Sequence, residues 1–147
     1  FLNEKSLKDW NDLLDEIEGN QSFCRKPIIF TSPTDSGCFS AGMDLKAVSK
    51  VSDIGTTKQL FGQFESTMAR ICTLQHRTVA KIHGHAIAGG FFLGLACDVR
   101  CGLDNDKIGI GITEIEVGIP FPSLMYLMIL HRIHAFSFKV LLSQPNK

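Results

Sequence analysis

A glycine-rich segment that joins a short apolar strand to a wholly apolar helix constrains the fold of this chain more than any other feature. Residues 78–82 have the composition of a strand, residues 84–90 are GHAIAGG, and residues 91–96 carry no polar side chain. The first amides of a helix have no partners inside it and carry a partial positive charge. Because Gly89 and Gly90 lack side chains, a ligand oxygen can approach those amides closely. Glycines at such turns also occur merely to pack a helix against a sheet.

A second glycine loop, FSAGMDL at residues 39–45, follows another short apolar stretch. Gly42 lets the backbone turn tightly and leaves the next amide, that of Met43, free to point at a bound oxygen. Two amides supplied by separate loops form an oxyanion hole, the arrangement that stabilises the enolate of a thioester. The two loops together therefore indicate such a hole, whereas either loop alone is weak evidence.

The hydropathy pattern along the chain predicts an α/β fold. Apolar residues recur at helical spacing in residues 7–17, 57–74 and 123–142, and residues 91–96 form a fully apolar helix. Residues 27–31 predict a fully buried strand, and residues 78–82, 98–101 and 107–110 predict further strands. Residues 32–38, rich in Ser, Pro, Asp and Gly, predict a loop. Strands that alternate with helices imply mainly parallel pairing.

Length and charge restrict the domain count and the class of partner. The 147 residues suffice for one sizeable core, which predicts a single domain. Fifteen basic residues balance fifteen acidic ones, so bulk charge attracts neither a nucleic-acid backbone nor an anionic membrane. No apolar run approaches the roughly 20 residues that a membrane-spanning helix needs. We therefore expect no nucleic-acid partner and no membrane span.

Cysteine and histidine spacing predicts no metal site and no disulfide. An odd number of cysteines without a CxxC pair favours buried thiols in a reducing compartment; they are Cys24, Cys38, Cys72, Cys97 and Cys101. His83 and His85 flank Gly84, but neither a carboxylate nor a cysteine joins them at ligand spacing. Asp98, at the end of the apolar helix, is expected to order the following turn.

Three segments in order carry a resemblance to a known family. They are residues 27–48 (PIIFTSPTDSGCFSAGMDLKAV), 79–100 (VAKIHGHAIAGGFFLGLACDVR) and 107–120 (KIGIGITEIEVGIP). From about residue 27 to residue 132 the chain resembles the enoyl-CoA hydratase/isomerase (crotonase) superfamily in the order and spacing of these segments.

The resemblance implies an α/β fold built as a spiral of repeated strand-strand-helix units. It implies a single catalytic core domain over residues 1–147 that is truncated at both ends and lacks the first strand and the C-terminal trimerisation helices. It also implies a homo- or hetero-trimer and an acyl-CoA thioester as the substrate. The family needs neither a metal nor a separate cofactor, because coenzyme A is part of the substrate.

The resemblance also assigns residues to the site. By motif position the thioester oxygen would lie between the amides of Met43 and Gly89. Further contacts to the substrate are expected from a set of loop residues and apolar side chains: Ser40, Ala41, Gly42, Asp44, Leu45, Gly90, Phe92, Ile119 and Pro120. Asp44 is also suited to cap the helix that follows it.

One carboxylate, rather than two, is expected in the site. Hydration requires two acids that activate water, and by resemblance the positions of these acids correspond to Phe92 and Glu114. The chain keeps only Glu114, with Glu116 as the alternative in that segment. Relatives with this pattern are Δ3,Δ2-enoyl-CoA isomerases, in which one glutamate moves a proton from C2 to C4. Apolar neighbours would raise the pKa of the Glu114 carboxyl.

Other functions stay open beside isomerisation in fatty-acid β-oxidation. A catalytically retired subunit with a structural role in a larger complex is the main alternative, since a fold can outlive its reaction. Enoyl-CoA hydration, or another reaction of the superfamily such as thioester hydrolysis, is the lesser one. By resemblance the expected compartment is the mitochondrial matrix, with the peroxisome or a bacterial cytoplasm as alternatives.

Overall fold

Helices and short strands alternate along the chain. The computed structural model describes residues 2–23, 25–44, 54–114 and 122–134. In chain order the elements are α1 (Glu4–Gly19), a 3₁₀ turn (Gln21–Phe23), β1 (Ile28–Phe30), β2 (Cys38–Ser40), α2 (Ile54–Thr73), β3 (Thr78–Ile82), β4 (His85–Ile87), α3 (Gly89–Ala96), β5 (Val99–Gly102), β6 (Ile110–Gly111) and α4 (Ser123–Arg132).

Six strands of this part of the chain form two parallel sheets of three strands each. The sheet orders are β1-β3-β5 and β2-β4-β6. All four pairings are parallel, for example Val79 opposite Val99 and Ala86 opposite Ile110. Successive strands thus enter the two sheets in turn, and a helix follows each of the first two strand pairs. This pattern confirms the predicted spiral of strand-strand-helix units.

Helix α1 begins with a complete capping box. The Asn3 side chain accepts from the Ser6 amide at 3.0 Å, and the Asn3 amide donates to the Ser6 hydroxyl at 2.8 Å. Polar contacts then join α1 to α2: Asn11 donates to the Thr67 hydroxyl at 2.8 Å, and Arg70 pairs with two acidic side chains of α1. These contacts fix α1 against α2.

The core lies around α3, whose eight residues are all buried. The predicted apolar face of α2 packs onto it, with Phe64, Met68 and Ile71 buried as expected. Met125 and Met128 of α4 complete the cluster from another side. A helix that is apolar on every face is stable only inside such a layer, which explains the composition of residues 91–96.

The expectation that residues 27–31 form a fully buried strand is wrong. The side chain of Ile29 is 59% exposed. The reason is topological: β1 is an edge strand of its sheet, so only β3 pairs with it among the described residues. Beside it, α1 and β1 border an apolar groove with a cavity volume of about 380 Å³.

Several element boundaries differ from the expectation. Strands β2 and β4 lie within segments expected to be loops, and β6 covers Ile110–Gly111 instead of residues 107–110. These strands have only two or three residues and are stabilised by pairing with parallel neighbours that are distant in the chain. The local sequence therefore does not predict them. Helix α4 ends at Arg132 instead of about residue 142. Residues 135–147 lie outside the described part of the chain.

The four described cysteines are free, as expected, but they are not all buried. Cys97 is fully buried, and burial raises the pKa of its thiol to about 12. Cys101 is exposed, which contradicts the expected burial, because every residue of β5 is exposed. Cys24 lies outside the described residues. Among the described helices, none is long and apolar enough to cross a membrane.

Asp98 has a structural role, but its bonds run to Thr78, 20 residues earlier, and not to the following turn as expected. Its Oδ2 accepts from the Thr78 amide at 2.8 Å and from the Thr78 hydroxyl at 3.1 Å, and the Asp98 amide donates back to that hydroxyl at 2.9 Å. The end of α3 is thereby tied to the start of β3. The hydrogen bond from the Thr78 backbone is the main reason why the pKa of the Asp98 carboxyl is lowered.

Replacing Asp98 by alanine should lower the free energy of unfolding by about 1–2 kcal/mol near neutral pH. This is below the roughly 1.5–3 kcal/mol of hydrogen bonds to a charged group, because Asp98 is exposed to solvent. Because the folded-state pKa is lowered, this stability is present above the ordinary carboxyl pKa and is lost as the pH falls through the folded value. Urea unfolding at pH 7 and at pH 3 measures it. Asp104→Ala, which removes an exposed carboxylate after β5, is the control. A loss of equal size at both pH values would contradict the assignment.

Candidate functional site

The predicted site residues leave one sheet from three adjacent parallel strands. Gly42 and Met43 follow β2, Gly89 follows β4, and Glu114 follows β6, in the sheet ordered β2-β4-β6. The carboxyl ends of parallel strands meet at one edge of a sheet, where α/β proteins usually bind their ligands. The topology therefore brings together residues that are more than 70 positions apart in the chain.

The two glycine loops touch each other at Gly42 and Gly89. A Cβ on Gly42 would lie 2.6 Å from the Gly89 nitrogen and 2.9 Å from the Ala88 Cβ. A Cβ on Gly89 would lie 3.2 Å from the Gly42 Cα and 3.4 Å from the Met43 nitrogen. Gly42 also has a φ of +79°, which L side chains rarely adopt. Glycine is therefore required for the contact that sets the two amides beside each other.

The Met43 amide points away from its neighbouring strand segment. Leu2 forms a parallel bridge with Met43, in which the Leu2 amide donates to the Gly42 carbonyl at 2.8 Å and the Asp44 amide donates to the Leu2 carbonyl at 2.9 Å. Successive amides of an extended chain point to opposite sides. Because the Asp44 amide points toward Leu2, the Met43 amide points away from Leu2. Among the described residues it has no acceptor.

The Gly89 amide is also unpaired within the described part of the chain. Gly89 is the first residue of α3, and the residue before it, Ala88, offers no side-chain cap. The Ala88 carbonyl instead accepts from the amides of Phe91 at 2.9 Å and Phe92 at 3.3 Å. Two unpaired amides, one from each loop, thus lie near one another at a helix N-terminus, as an oxyanion hole requires.

Ala88 adopts a strained conformation that aims this helix start. Its φ is +51° and its ψ is −129°, a region that non-glycine residues rarely occupy. Such strain costs about 1–3 kcal/mol and persists only where surrounding structure imposes it. The Ala88 amide donates to the Gly111 carbonyl at 3.0 Å, which holds the turn against β6. Strain of this kind is common at functional sites.

The same hydrogen bond limits how far Glu114 can lie from the turn at Ala88. Gly111 lies next to Ala88, and Glu114 is three residues further along the chain. Since consecutive Cα atoms are about 3.8 Å apart, the Glu114 Cα lies within about 11 Å of the Gly111 Cα. Contact of the Glu114 carboxyl with a substrate held at the two loops stays a prediction.

The Glu114 side chain is partly buried, which affects the protonation of its carboxyl. Its Oε2 is buried and has no hydrogen-bond partner among the described residues. Burial raises the pKa of the carboxyl above its ordinary value of 4.5, while the backbone amides of Glu114 and Thr113 act in the opposite direction. A buried carboxyl oxygen without a partner is rare in folded proteins, which makes Glu114 a candidate for contact with a ligand.

The predicted substrate-contact residues occupy different surroundings. Ser40, at the end of β2, supports the loop, since its hydroxyl accepts from the Gly42 amide at 3.2 Å. Ala41 and Asp44 lie directly before and after the Gly42–Met43 pair. Gly90 packs against β2: a Cβ there would overlap the Ser40 carbonyl, so glycine is needed for packing whatever else it contacts. Substrate contact by these residues stays a prediction.

Phe92 belongs to the hydrophobic core. Its side chain is 1% exposed, and its ring meets that of Phe91 edge to face at a centroid distance of 5.6 Å. The position where a hydratase would carry its first acid therefore holds a packed aromatic ring. Leu45, Ile119, Pro120 and Glu116 lie outside the described residues.

Two contacts of α2 were not predicted from the sequence. Phe64 of α2 reaches the loops, because a Cβ on Gly89 would lie 3.2 Å from its ring Cζ. Glu65, the next residue, accepts from the Leu124 amide at 3.0 Å and so caps the start of α4. Both lie on a helix whose spacing predicts only core packing, so no sequence signal distinguishes them. Among the described residues, no group of three or more His, Cys, Asp or Glu could hold a metal.

Gly42→Ala should destabilise the protein much more than Gly37→Ala. Both glycines have positive φ, +79° and +62°, but a Cβ on Gly37 meets no atom within 4 Å. We expect about 1 kcal/mol for Gly37→Ala from backbone strain, and roughly 2 kcal/mol more for Gly42→Ala from the overlap with Gly89. Urea unfolding measures both. Equal losses would show that the two loops do not touch.

Glu114→Gln should raise the free energy of unfolding near pH 8, by roughly 1 kcal/mol, because it removes the charge from a partly buried side chain whose Oε2 has no partner among the described residues. A carboxyl with a raised pKa holds its proton to a higher pH in the folded state, so stability falls as the pH rises from 4.5 through the folded value. The gain should therefore vanish below pH 4.5. Thermal unfolding across that range measures it, and a destabilised variant at pH 8 would contradict the burial.

Comparisons with known proteins identify the family and the fold. A sequence profile of the family described as Enoyl-CoA hydratase/isomerase matches residues 1–139. The fatty acid oxidation complex subunit alpha of Aliivibrio fischeri is 33% identical over 107 residues, which cover 73% of this chain and 15% of that protein. The chain thus spans only a small part of the length of this curated relative.

Solved structures share the fold. The human mitochondrial delta3-delta2-enoyl-CoA isomerase superposes with a TM-score of 0.83 at 26% identity, covering 96% of this chain and 54% of that one. An enoyl-CoA hydratase from Bacillus anthracis superposes with a TM-score of 0.81 at 23% identity, covering 98% of this chain and 54% of that one, and shows the fold alone. With the profile match over residues 1–139, the chain belongs to the enoyl-CoA hydratase/isomerase (crotonase) family.

Proposed function

We propose that the protein is a Δ3,Δ2-enoyl-CoA isomerase that moves the 3-ene of an acyl-CoA to the 2-trans position. The observation that carries the proposal is the partly buried Glu114 carboxyl, whose Oε2 is buried and has no partner among the described residues. Glu114 lies three residues after β6, the strand that pairs with β4 ahead of the Gly89 amide. The amides stabilise negative charge on a thioester oxygen, and the carboxylate removes a proton from the adjacent carbon.

The reaction needs one base and one anion site. The Glu114 carboxylate takes a proton from C2, and the electrons delocalise over C2–C4 and the thioester oxygen as a dienolate. The amides of Met43 and Gly89 bind that oxygen. The carboxylic acid formed at Glu114 then returns the proton to C4, which leaves a double bond between C2 and C3. The raised pKa suits a group that must give the proton back at neutral pH.

Phe92 favours isomerisation over hydration. Adding water to a 2-enoyl-CoA uses two carboxylates, and by resemblance the first would stand at position 92. The Phe92 ring is buried in the core and offers no acid there. The names of the similar structures include both an isomerase and a hydratase, so this side chain, rather than similarity, supports the choice.

Pathway, assembly and compartment are parts of the same proposal. The name of the Aliivibrio fischeri relative connects it with fatty-acid oxidation, which suits β-oxidation as the setting. An exposed apolar face on α4, formed by Tyr126, Leu127 and Leu130, suits a subunit contact in a trimer. We place the protein in the mitochondrial matrix by resemblance to isomerases of that compartment.

A structural subunit is the second candidate function. The α4 face favours it, because a partner could cover that face without any reaction in the site. The two functions differ in ligand binding: a structural subunit binds no CoA thioester in calorimetry and purifies in a stable hetero-complex.

Glu114→Gln in the full-length protein should lower kcat for a 3-cis-enoyl-CoA by about 10²–10⁴-fold, the usual contribution of general acid–base catalysis. Because glutamine preserves the shape of the side chain, KM should change little. Formation of the conjugated 2-trans thioester, followed by ultraviolet absorbance, measures the rate. Glu16→Gln, at an exposed glutamate of α1, is the matched control and should keep full activity.

Two results would overturn the proposal. One is an unchanged rate in Glu114→Gln, which would remove the proton shuttle. The other is rapid hydration of crotonyl-CoA by the unmodified protein, which would show that a second acid is present despite the apolar ring at position 92.

A further inference from the structure

His85 makes a hydrogen bond that neither the fold nor the proposed reaction has yet explained. Its ring Nδ1 accepts from the Gly109 amide at 2.9 Å. The Gly109 carbonyl accepts from the Ala86 amide at 2.9 Å, and the Gly111 carbonyl accepts from the Ala88 amide at 3.0 Å. The imidazole therefore extends the β4–β6 ladder by one position, in place of a backbone carbonyl.

The fit between this ring and β6 is close. A Cβ on Gly109 would lie 3.3 Å from the His85 Nδ1, so a larger residue there would press against the acceptor atom. An imidazole nitrogen that accepts a hydrogen bond carries no proton, so the proton of the neutral ring is on Nε2. The acceptor is already occupied, which also argues against the alternative that His85 binds a metal.

Strand β6 depends strongly on each of its hydrogen bonds because it has only two residues, Ile110–Gly111. It pairs with β4 and with no other strand among the described residues. Ile112, Thr113 and Glu114 follow it directly, so the direction in which the chain leaves β6 sets where the Glu114 carboxyl can lie. The hydrogen bond between Gly109 and His85, at the start of β6, can therefore influence the position of Glu114 through residues 110–113, the short stretch of backbone that separates Gly109 from it.

We propose that His85 is a positioning residue for Glu114. It holds Gly109, fixes the register of β6 against β4, and thereby keeps the Glu114 carboxyl in its partly buried setting. The inference rests on the proposed function, in which that carboxyl is the base. His85 does not touch the substrate in this role, and no proton passes through it.

The test compares two isosteric variants of the full-length protein. In His85→Asn the side-chain oxygen stands close to the position of Nδ1 and can accept from Gly109, whereas His85→Leu has the same shape and no acceptor. We expect His85→Leu to speed amide exchange at Gly109 by about 5-fold, the equivalent of one ordinary hydrogen bond. It should lower kcat by a similar factor with KM within 2-fold, and His85→Asn should restore both.

Two readouts do not need turnover. Amide hydrogen exchange at Gly109 reports the hydrogen bond to His85. The NMR chemical shift of the Glu114 carboxyl carbon reports the environment of that carboxyl, and its signal is identified by its absence in Glu114→Gln. The chemical shift of that carbon should change in His85→Leu and should have its original value in His85→Asn. If the unmodified protein shows no isomerase activity, the proposed function fails, and these two signals still decide the role of His85.

His76→Leu is the matched control. The His76 Nδ1 also bonds to backbone, at the Lys26 carbonyl 3.1 Å away and far along the chain from β6. Its loss should leave kcat and the Glu114 signal unchanged. His85→Ala repeats the test should the leucine variant fold poorly. An unmoved Glu114 signal in both, or an asparagine variant as impaired as the leucine variant, would overturn the inference.

Discussion

The close approach of two backbones at Gly42 and Gly89 is the constraint on which the rest of the site depends. Neither residue could carry a Cβ without pushing the loops apart, and only their contact sets the Met43 and Gly89 amides beside each other. The sheet makes this contact possible. Strands β2 and β4 are adjacent and parallel, so their carboxyl ends lie at the same edge and the loops that follow them meet. The strain at Ala88 is a consequence, because the chain must reverse direction there to start α3 against β2.

Much of this arrangement could be predicted from the sequence, because the relevant signals are local. The helix faces at residues 7–17 and 57–74 and the strand at Thr78–Ile82 follow from hydrophobic periodicity. The uncapped start of α3 follows from two glycines before an apolar run. Glu114 followed only from resemblance, and its burial with an unpaired oxygen agrees with the expected raised pKa.

The remaining features depend on contacts between distant residues, which spacing does not reveal. Strands of two or three residues such as β6 are defined by their partners and carry too few side chains for a period. Ile29 is exposed since its strand is at an edge, a fact of topology rather than of composition. Likewise, the bond from Gly109 to His85 spans 24 positions and uses a ring nitrogen where a carbonyl would be expected.

Under the proposed function, the choice between moving a proton and adding water is fixed by packing. Phe92 is 1% exposed within a helix whose eight residues are all buried, so an acid at that position would enter the core. A carboxylate taken from water into such a core costs several kcal/mol unless partners surround it, a large share of the 5–15 kcal/mol that keeps a typical domain folded. A second acid would therefore require α3 and its neighbours to repack together. Under that proposal, the apolar side chain at position 92 is thus a property of the whole core, and not of one position in a pocket.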